Sequence, residues 1–352
     1  MAAEKKVFLI GPGLIGTDLL ELLVEAGYEV TTMVRREAHA AQVKEFGAKV
    51  GMGTLDDKET IRKYTATNPI VIHAATADHL PSVEAVLDGV RQRAEQGLET
   101  IYIHTSGTSV LVDNSKGMYK SDKIYSDERP EDIDSVPDTA PHREMDLAII
   151  AARRELGTKA KIIIVLPCLV YGIGKRSGRL SMQLPTMVRF ALKHGWAPVI
   201  GKGVSVRSNI HVQDLVRGYM VVLDWMQHSS ADEVLQNPYF FCSTGQDMAW
   251  GDAAAEIGRL LYEAGRIKDP TPRPVPPELY GDLFGVYSPT TVGANSRSRA
   301  DRLRKMGWSP REKGVLESLR EDEVPILLNE TGPFNGYTGL ASSGTHVLKS
   351  LE

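Results

Sequence analysis

The sequence predicts an α/β protein built on a doubly wound parallel sheet, with a smaller C-terminal substrate lobe. Three observations carry that expectation. An apolar run, Val7-Phe8-Leu9-Ile10, breaks into Gly11-Pro12-Gly13-Leu14-Ile15-Gly16 and then enters a helical pattern that lasts to Ala26. Strand-like and helix-like stretches then alternate as far as His104, which calls for crossover connections and helices on both faces of a parallel sheet. Beyond Gly172 the chain becomes punctuated by glycine and proline, as expected of a lobe made largely of loops around few helices.

The first strand and its turn set the frame. A strand that enters a helix within three residues needs Gly11 for its backbone angles. Gly13 lets the main chain approach a pyrophosphate, and Gly16 lets helix and strand pack closely. The free N–H groups of the first helical turn, at Leu14 and Ile15, then face the phosphates. Tyr28 to Val34 completes the strand-helix-strand unit that makes the glycine pattern meaningful.

Further along, Glu37 to Phe46 reads as a helix, Lys49 to Met52 as a strand, Lys58 to Tyr64 as a helix and Ile70 to His73 as a strand. Leu80 to Gln96 carries apolar residues at helical spacing, and Thr100 to His104 is the next strand. Ligands of such sheets sit at the carboxyl ends of the strands. One rim therefore collects the glycine turn, Arg35-Arg36, Ala74-Ala75-Thr76 and Thr105-Ser106. Gly107 to Pro141 lacks an apolar period and predicts an irregular excursion over that rim. His142 to Leu156 returns to helix, and Lys161 to Leu166 is an apolar strand. The expected division is a dinucleotide-binding domain over 1–175, to which 205–245 return, a substrate lobe over 176–204 and 265–330, and a tail over 331–352.

Composition narrows the function classes. The chain has 352 residues, 42% hydrophobic and 24% charged, as in globular proteins with a large core. Its net charge of -4 argues against nucleic acid as a main partner. No apolar run approaches membrane-spanning length and residues 1–6 lead directly into the first strand, so a cytoplasmic protein is expected, with no membrane partner. Cys168 and Cys242 stand in apolar runs without metal-ligand spacing; core thiols are the expectation, and no metal site.

The order of motifs resembles the extended short-chain dehydrogenase/reductase family over roughly residues 5–325. The stretches that carry the resemblance are the glycine turn, Gly53-Thr-Leu-Asp-Asp57, His73-Ala-Ala-Thr76 and Ile103-His-Thr-Ser106, followed by Leu166-Pro-Cys-Leu-Val-Tyr-Gly172, Arg207-Ser-Asn-Ile-His-Val-Gln-Asp214 and Ser298 to Leu319. The resemblance implies a Rossmann-type domain. It implies cofactor contacts from Gly11, Gly13, Leu14, Ile15, Gly16, Leu55, Ala74, Ala75, Thr105 and Pro167. It also implies a serine at Ser106 that binds the substrate oxygen, and substrate contacts from Tyr171 and Arg207. His211 and Asp214 read as braces of the fold.

Charge decides which nicotinamide is expected. An acidic residue at the end of the second strand binds the ribose hydroxyls of NAD, whereas basic residues accommodate the extra phosphate of NADP. This chain offers Arg35 and Arg36, whose guanidinium forks suit phosphate oxygens. NADP(H) is therefore expected ahead of NAD(H).

At the catalytic helix the sequence departs from the family. Where the family places a Tyr and, four residues later, a Lys, this chain reads His142-Arg-Glu-Met-Asp146. His142 stands in the tyrosine position and Asp146 in the lysine position. At that spacing the carboxylate could orient the imidazole, and a histidine titrating near neutrality can serve as acid and base. The bland alternative is that His142 only begins the helix and Asp146 meets solvent or Arg143. Tyr119-Lys-Ser-Asp-Lys123 also spells the family dyad, but glycine and proline around it deny it a helix.

These readings favour an NADP(H)-dependent oxidoreductase acting on a carbonyl or alcohol of a small-molecule substrate. Sequences of this type look like fungal proteins, often of secondary metabolism. Loss of the Tyr-Lys pair keeps two alternatives open: a non-redox lyase, isomerase or cyclase on the same scaffold, or an NADP-sensing regulatory binding protein. Family members often pair through helices flanking the sheet, so a homodimer is one option.

Overall fold

The computed structural model describes residues 5–331 together with 334, 336 and 337. The principal strands and helices, numbered in chain order, begin with β1 (Lys6–Ile10), α1 (Leu14–Glu25), β2 (Glu29–Val34), α2 (Glu37–Glu45), β3 (Lys49–Met52), α3 (Lys58–Thr67), β4 (Ile70–His73), α4 (Leu80–Glu95) and β5 (Ile101–Thr105). After the excursion come α5 (Arg143–Leu156), β6 (Lys161–Pro167), β7 (Leu169–Tyr171), α6 (Gln183–His194), β8 (Val206–His211), α7 (Val212–His228), β9 (Tyr239–Cys242), β10 (Asp247–Ala249) and α8 (Trp250–Glu263).

Seven of these strands form one parallel sheet in the order β9-β6-β5-β4-β1-β2-β3. The order reverses between β1 and β4, so a crevice opens at their carboxyl ends. Ile70–His73 and Ile101–Thr105 are buried along their whole length, as strands covered on both faces must be. A three-stranded mixed sheet lies apart from it, with β8 parallel to β7 and antiparallel to β10. The α/β class and the smaller lobe expected from the sequence are both present.

Two apolar cores accompany the two sheets. The first gathers residues of the seven strands with Leu215, Val222 and Met226 of α7 and with Leu303 and Trp308. The second gathers Tyr171, Leu184 and Phe190 with Trp250, Ile257 and Leu261 of α8 and with Leu319 and Leu327. The part of the tail from 338 onward lies outside the described residues.

Element boundaries shift from expectation mainly at glycines. α1 begins at Leu14, so Gly16 lies inside the helix, where a Cβ would stand 2.1 Å from the Gly11 carbonyl oxygen. The excursion over 107–141 contains a short 3-10 turn, Thr108–Leu111, and a five-residue helix, Pro130–Asp134. It is tied down by side chains: buried Asp127 accepts the N–H groups of Phe241 and Arg302, and Asp113 accepts both the N–H and the amide of Asn295. An irregular segment needs such partners because it has no ladder of its own.

At the centre of the fold, Gly11 has φ of +91°, and a Cβ there would lie 2.2 Å from the Cα of Ala75. Gly11→Ala combines the positive-φ penalty with main-chain overlap. It is expected to cost at least ~3 kcal/mol, read as a lower denaturation midpoint in urea.

Candidate active site

The crevice is lined from the strand ends upward. After β1 the chain turns at Gly11 and enters α1, whose first turn has no capping side chain. The space beyond Gly13 is open, with nothing within 4 Å of where its Cβ would stand. Ala74 donates its N–H to the Ile10 carbonyl at 2.8 Å and fixes the loop after β4 beside the turn. Leu14, Ile15, Ala74 and Leu55 are half-buried and Ala75 is exposed, while Pro167 is buried at the end of β6. The uncapped helix start, the open face of Gly13 and the close Gly11–Ala75 approach together fit a dinucleotide phosphate.

Arg35 and Arg36 are exposed at the end of β2, and neither forms an ion pair among the described residues. His39 of α2 bonds to the Pro12 carbonyl, and burial followed by the charges of Arg179, Arg36 and Arg35 pushes its pKa down.

His142 occupies the residue before α5 with φ of +68°, a left-handed conformation. That turn separates its ring from the helix face that carries Asp146. The imidazole Nδ1 instead lies 2.6 Å from Asp78 Oδ1, a carboxylate on the loop after β4. Both side chains are nearly buried, at 11% and 9% exposure. The other edge of the ring, Cδ2 and Nε2, stands 3.3 Å from where a Cβ on Gly107 would be. A glycine at 107 thus keeps that edge clear beside Ser106. Nδ1 faces the Asp78 carboxylate, so Nε2 is the ring nitrogen left to exchange a proton with a ligand.

Asp146 takes a different partner from the one its spacing suggested. Its Oδ2 accepts the Ser106 hydroxyl at 3.1 Å, and its Oδ1 has no partner. The side chain is fully buried, so burial pushes its pKa up to about 7, against the Ser106 hydrogen bond and the charges of His142 and Arg143. Behind it the Tyr102 hydroxyl lies 3.2 Å from His104 Nδ1, and the His104 ring is 5.3 Å from that of His73. Burial holds His73 down at about 4, so this backing is neutral.

The remaining candidates divide. Arg207 is buried at 2% exposure; it donates to Ser109 Oγ at 2.8 Å while its Nε and second terminal nitrogen have no partner. Burial lowers its pKa to about 10. Tyr171 lies in the second core, with its hydroxyl given to the Lys313 carbonyl at 2.8 Å. The Thr105 hydroxyl is paired with Tyr219 at 2.6 Å. His211 caps α7 through Gln213, and Asp214 accepts the N–H groups of Arg311 and Glu312, both bracing roles. Tyr119 is half exposed on a loop, and Lys123 stands over the Tyr125 ring, so no helix aligns them as a dyad.

Asp78, Gly107, Tyr102 and His104 escape sequence reasoning. Asp78 follows Ala75-Thr76 at the rim in sequence, but only its contact with a residue 64 positions away reveals its partner. Among the described residues no group of three or more His, Cys, Asp or Glu could hold a metal. Cys168 and Cys242 are buried free thiols, and no helix there is long and apolar enough to cross a membrane.

Comparison with known proteins bears on the family and the fold. The model of the "NAD dependent epimerase/dehydratase family" matches residues 8–236. An oxidase, ucsJ, of Acremonium sp is 29% identical over 90% of this chain and 95% of its own length. A ketoreductase of a farnesylated dihydroquinoline oxide from Stigmatella aurantiaca is 32% identical over 29% of this chain and 33% of its own. Among solved structures, UDP-glucose 4-epimerase of Thermotoga maritima superposes with a TM-score of 0.64 at 16% identity, covering 92% of this chain and 99% of that one.

The buried carboxyl of Asp146 makes a pH-dependent prediction. Its folded pKa of about 7 lies above the ordinary unfolded value. The folded state therefore holds the proton longer, and the cost of burying the charge grows as pH rises from about 4 to about 7. Asp146→Asn removes that cost. Its thermal midpoint relative to the native chain should rise between pH 5 and pH 8, by the equivalent of ~1–3 kcal/mol; a constant difference would show that Asp146 stays ionised throughout.

Proposed function

Because the chain belongs to the NAD-dependent epimerase/dehydratase family, we propose that it is an NADP(H)-dependent oxidoreductase acting on a carbonyl or alcohol of a small metabolite, with His142 as the proton donor and acceptor. The observation that carries this reading is the 2.6 Å bond from His142 Nδ1 to Asp78, with the Nε2 edge of the ring beside Gly107.

A bound nicotinamide supplies or removes the hydride. The chain's own residues handle the proton and the geometry. In reduction, His142 Nε2 gives its proton to the substrate oxygen as negative charge develops there; in oxidation it takes the proton back. Asp78 holds the ring in one orientation and stabilises the imidazolium, the service that the family's lysine gives its tyrosine by another route. Ser106 is assigned to bond the same oxygen by turning its hydroxyl proton from Asp146, which holds the side chain in place, towards the substrate. Gly11, Gly13, Leu14, Ile15 and Gly16 take the pyrophosphate, and Leu55, Ala74, Ala75, Thr105 and Pro167 line the rest of the dinucleotide cleft, Thr105 through its backbone.

Arg207 is assigned to the substrate. A buried guanidinium with two nitrogens unpartnered is costly unless an oxygen of a ligand or a water meets it. This favours a substrate with a carboxylate, phenolate or carbonyl near the reacting group. The likeness to an oxidase and to a ketoreductase supports hydride chemistry ahead of a lyase or isomerase reaction.

Two experiments test the reading. In a fluorescence titration, NADPH should bind more tightly than NADH, and Arg35→Ala with Arg36→Ala together should sharply reduce the difference; failure to bind either nucleotide would move a non-redox use of the cleft to first place. With a substrate found by screening aldehydes, ketones and alcohols for NADP(H) turnover, His142→Phe should retain NADPH binding and lose ~100-fold or more in kcat, and Asp78→Asn ~10- to 100-fold. Full turnover by His142→Phe removes the imidazole from the mechanism.

A further inference from the structure

Between β7 and α6 the chain leaves the second lobe and returns as a hairpin, in which Ile173 bridges antiparallel to Leu180 and Gly174 donates to the Arg179 carbonyl at 2.8 Å. Both feet of the hairpin are held by one buried carboxyl: Glu323 accepts the Gly172 N–H at 3.2 Å and the Ser181 hydroxyl at 3.4 Å. Its tip is planted on α1. Asp18 accepts the N–H groups of Lys175 and Arg176 at 2.8 and 2.9 Å, Arg176 Nε donates to Glu21 at 2.6 Å, and a Cβ on Gly174 would lie 3.2 Å from Leu14. The Arg176 guanidinium also stands over the Phe46 ring, 5.7 Å from its centroid, just past the end of α2. A segment of the substrate lobe is thereby fixed across the first turn of the dinucleotide-binding helix.

Arg179 lies on the returning limb of this hairpin, where its carbonyl accepts the Gly174 N–H beside Leu14, and its side chain, like those of Arg35 and Arg36, is exposed. Its guanidinium is held below its ordinary range by partial desolvation and then by the charges of Arg36 and Arg35. None of the three has an ion-pair partner among the described residues, whereas Arg176 on the same hairpin is paired. Guanidinium charges held by a fixed scaffold within reach of one another repel, and an anion between them relieves that repulsion. His39 of α2 responds to the same charges: after burial, Arg179, Arg36 and Arg35 hold its pKa down.

We infer that the hairpin Ile173–Leu180 is a strap of the dinucleotide site and that Arg179, together with Arg35 and Arg36, grips the 2′-phosphate of the cofactor, so that NADP(H) preference is decided jointly by both lobes. This rests on the NADP(H) reading above and adds to it a specificity-determining residue from outside the dinucleotide-binding sheet. The chemistry recognised is a phosphomonoester dianion on the adenosine ribose, for which guanidinium forks are suited. Glu323 and Asp18 act as positioning residues that keep the strap where Arg179 can reach.

The test is binding by calorimetry of NADPH, NADH, adenosine 2′-monophosphate and adenosine 5′-monophosphate to the native chain, Arg179→Ala, Arg179→Lys and the Arg35→Ala/Arg36→Ala double variant. Arg179→Ala should weaken NADPH and adenosine 2′-monophosphate about three- to tenfold and leave NADH and adenosine 5′-monophosphate within about twofold; Arg179→Lys should recover part of the loss, and 0.5 M NaCl should shrink it. Equal weakening of all four ligands would make Arg179 a structural part of the hairpin and overturn the inference. So would unchanged binding in Arg179→Ala while the double variant loses NADPH preference, an outcome that leaves the cofactor reading standing. A native chain that does not prefer NADPH to NADH overturns both.

Discussion

The close approach of Gly11 to Ala75 governs the geometry of the site. At that point the turn after β1 and the loop after β4 run so near each other that a single methyl group would overlap main-chain atoms. The approach opens the crevice where the strand order reverses, and it fixes the start of the loop that carries Asp78. Asp78 in turn holds His142. The proposed cofactor cradle and the His142–Asp78 pair thus depend on one loop, with Ala75 and Asp78 only three positions apart.

Replacing a tyrosine and lysine by a histidine and aspartate is not a like-for-like exchange, and the surroundings show how it is accommodated. A lysine at 146 would need an acceptor and access to the ribose; Asp146 is fully buried, bonds Ser106 and is pushed towards neutrality. In the proposed reading, the charge beside the acid-base group lies on Asp78, on a different element. His142 reaches it because the left-handed conformation before α5 turns the imidazole off the helix face. In the proposed reading the chemistry is still proton exchange at a substrate oxygen, now through an imidazole in place of a phenol.

The two lobes are coupled by buried carboxylates. Glu323 clasps the feet of the strap, Asp18 holds its tip, and Asp127 and Asp113 pin the excursion that covers the rim. Each satisfies backbone N–H groups that irregular segments cannot satisfy alone. Where burial is deepest, at Asp127, Asp146 and Glu323, the pKa rises to about 7, so the segments around the crevice are the ones whose stability responds to pH near neutrality.

The sequence by itself determined the sheet, because apolar runs of four or five residues alternating with helical periods leave a parallel arrangement as the way to bury both faces. It determined the glycine turn, since positive φ and main-chain contact both demand glycine, and it marked the departure at His142 and Asp146 by position. Tertiary structure decided the partners. The i, i+4 spacing of His142 and Asp146 suggested that they pair, but side chains pair by where the backbone carries them, and a left-handed residue ahead of the helix sent them to Asp78 and Ser106. Tyr171 looked like a substrate contact by its motif and lies in the second core because β7 turns its side chain inward. Arg179 had no local signal at all: a charge on a glycine-rich loop acquires meaning only when the folded chain plants that loop on α1.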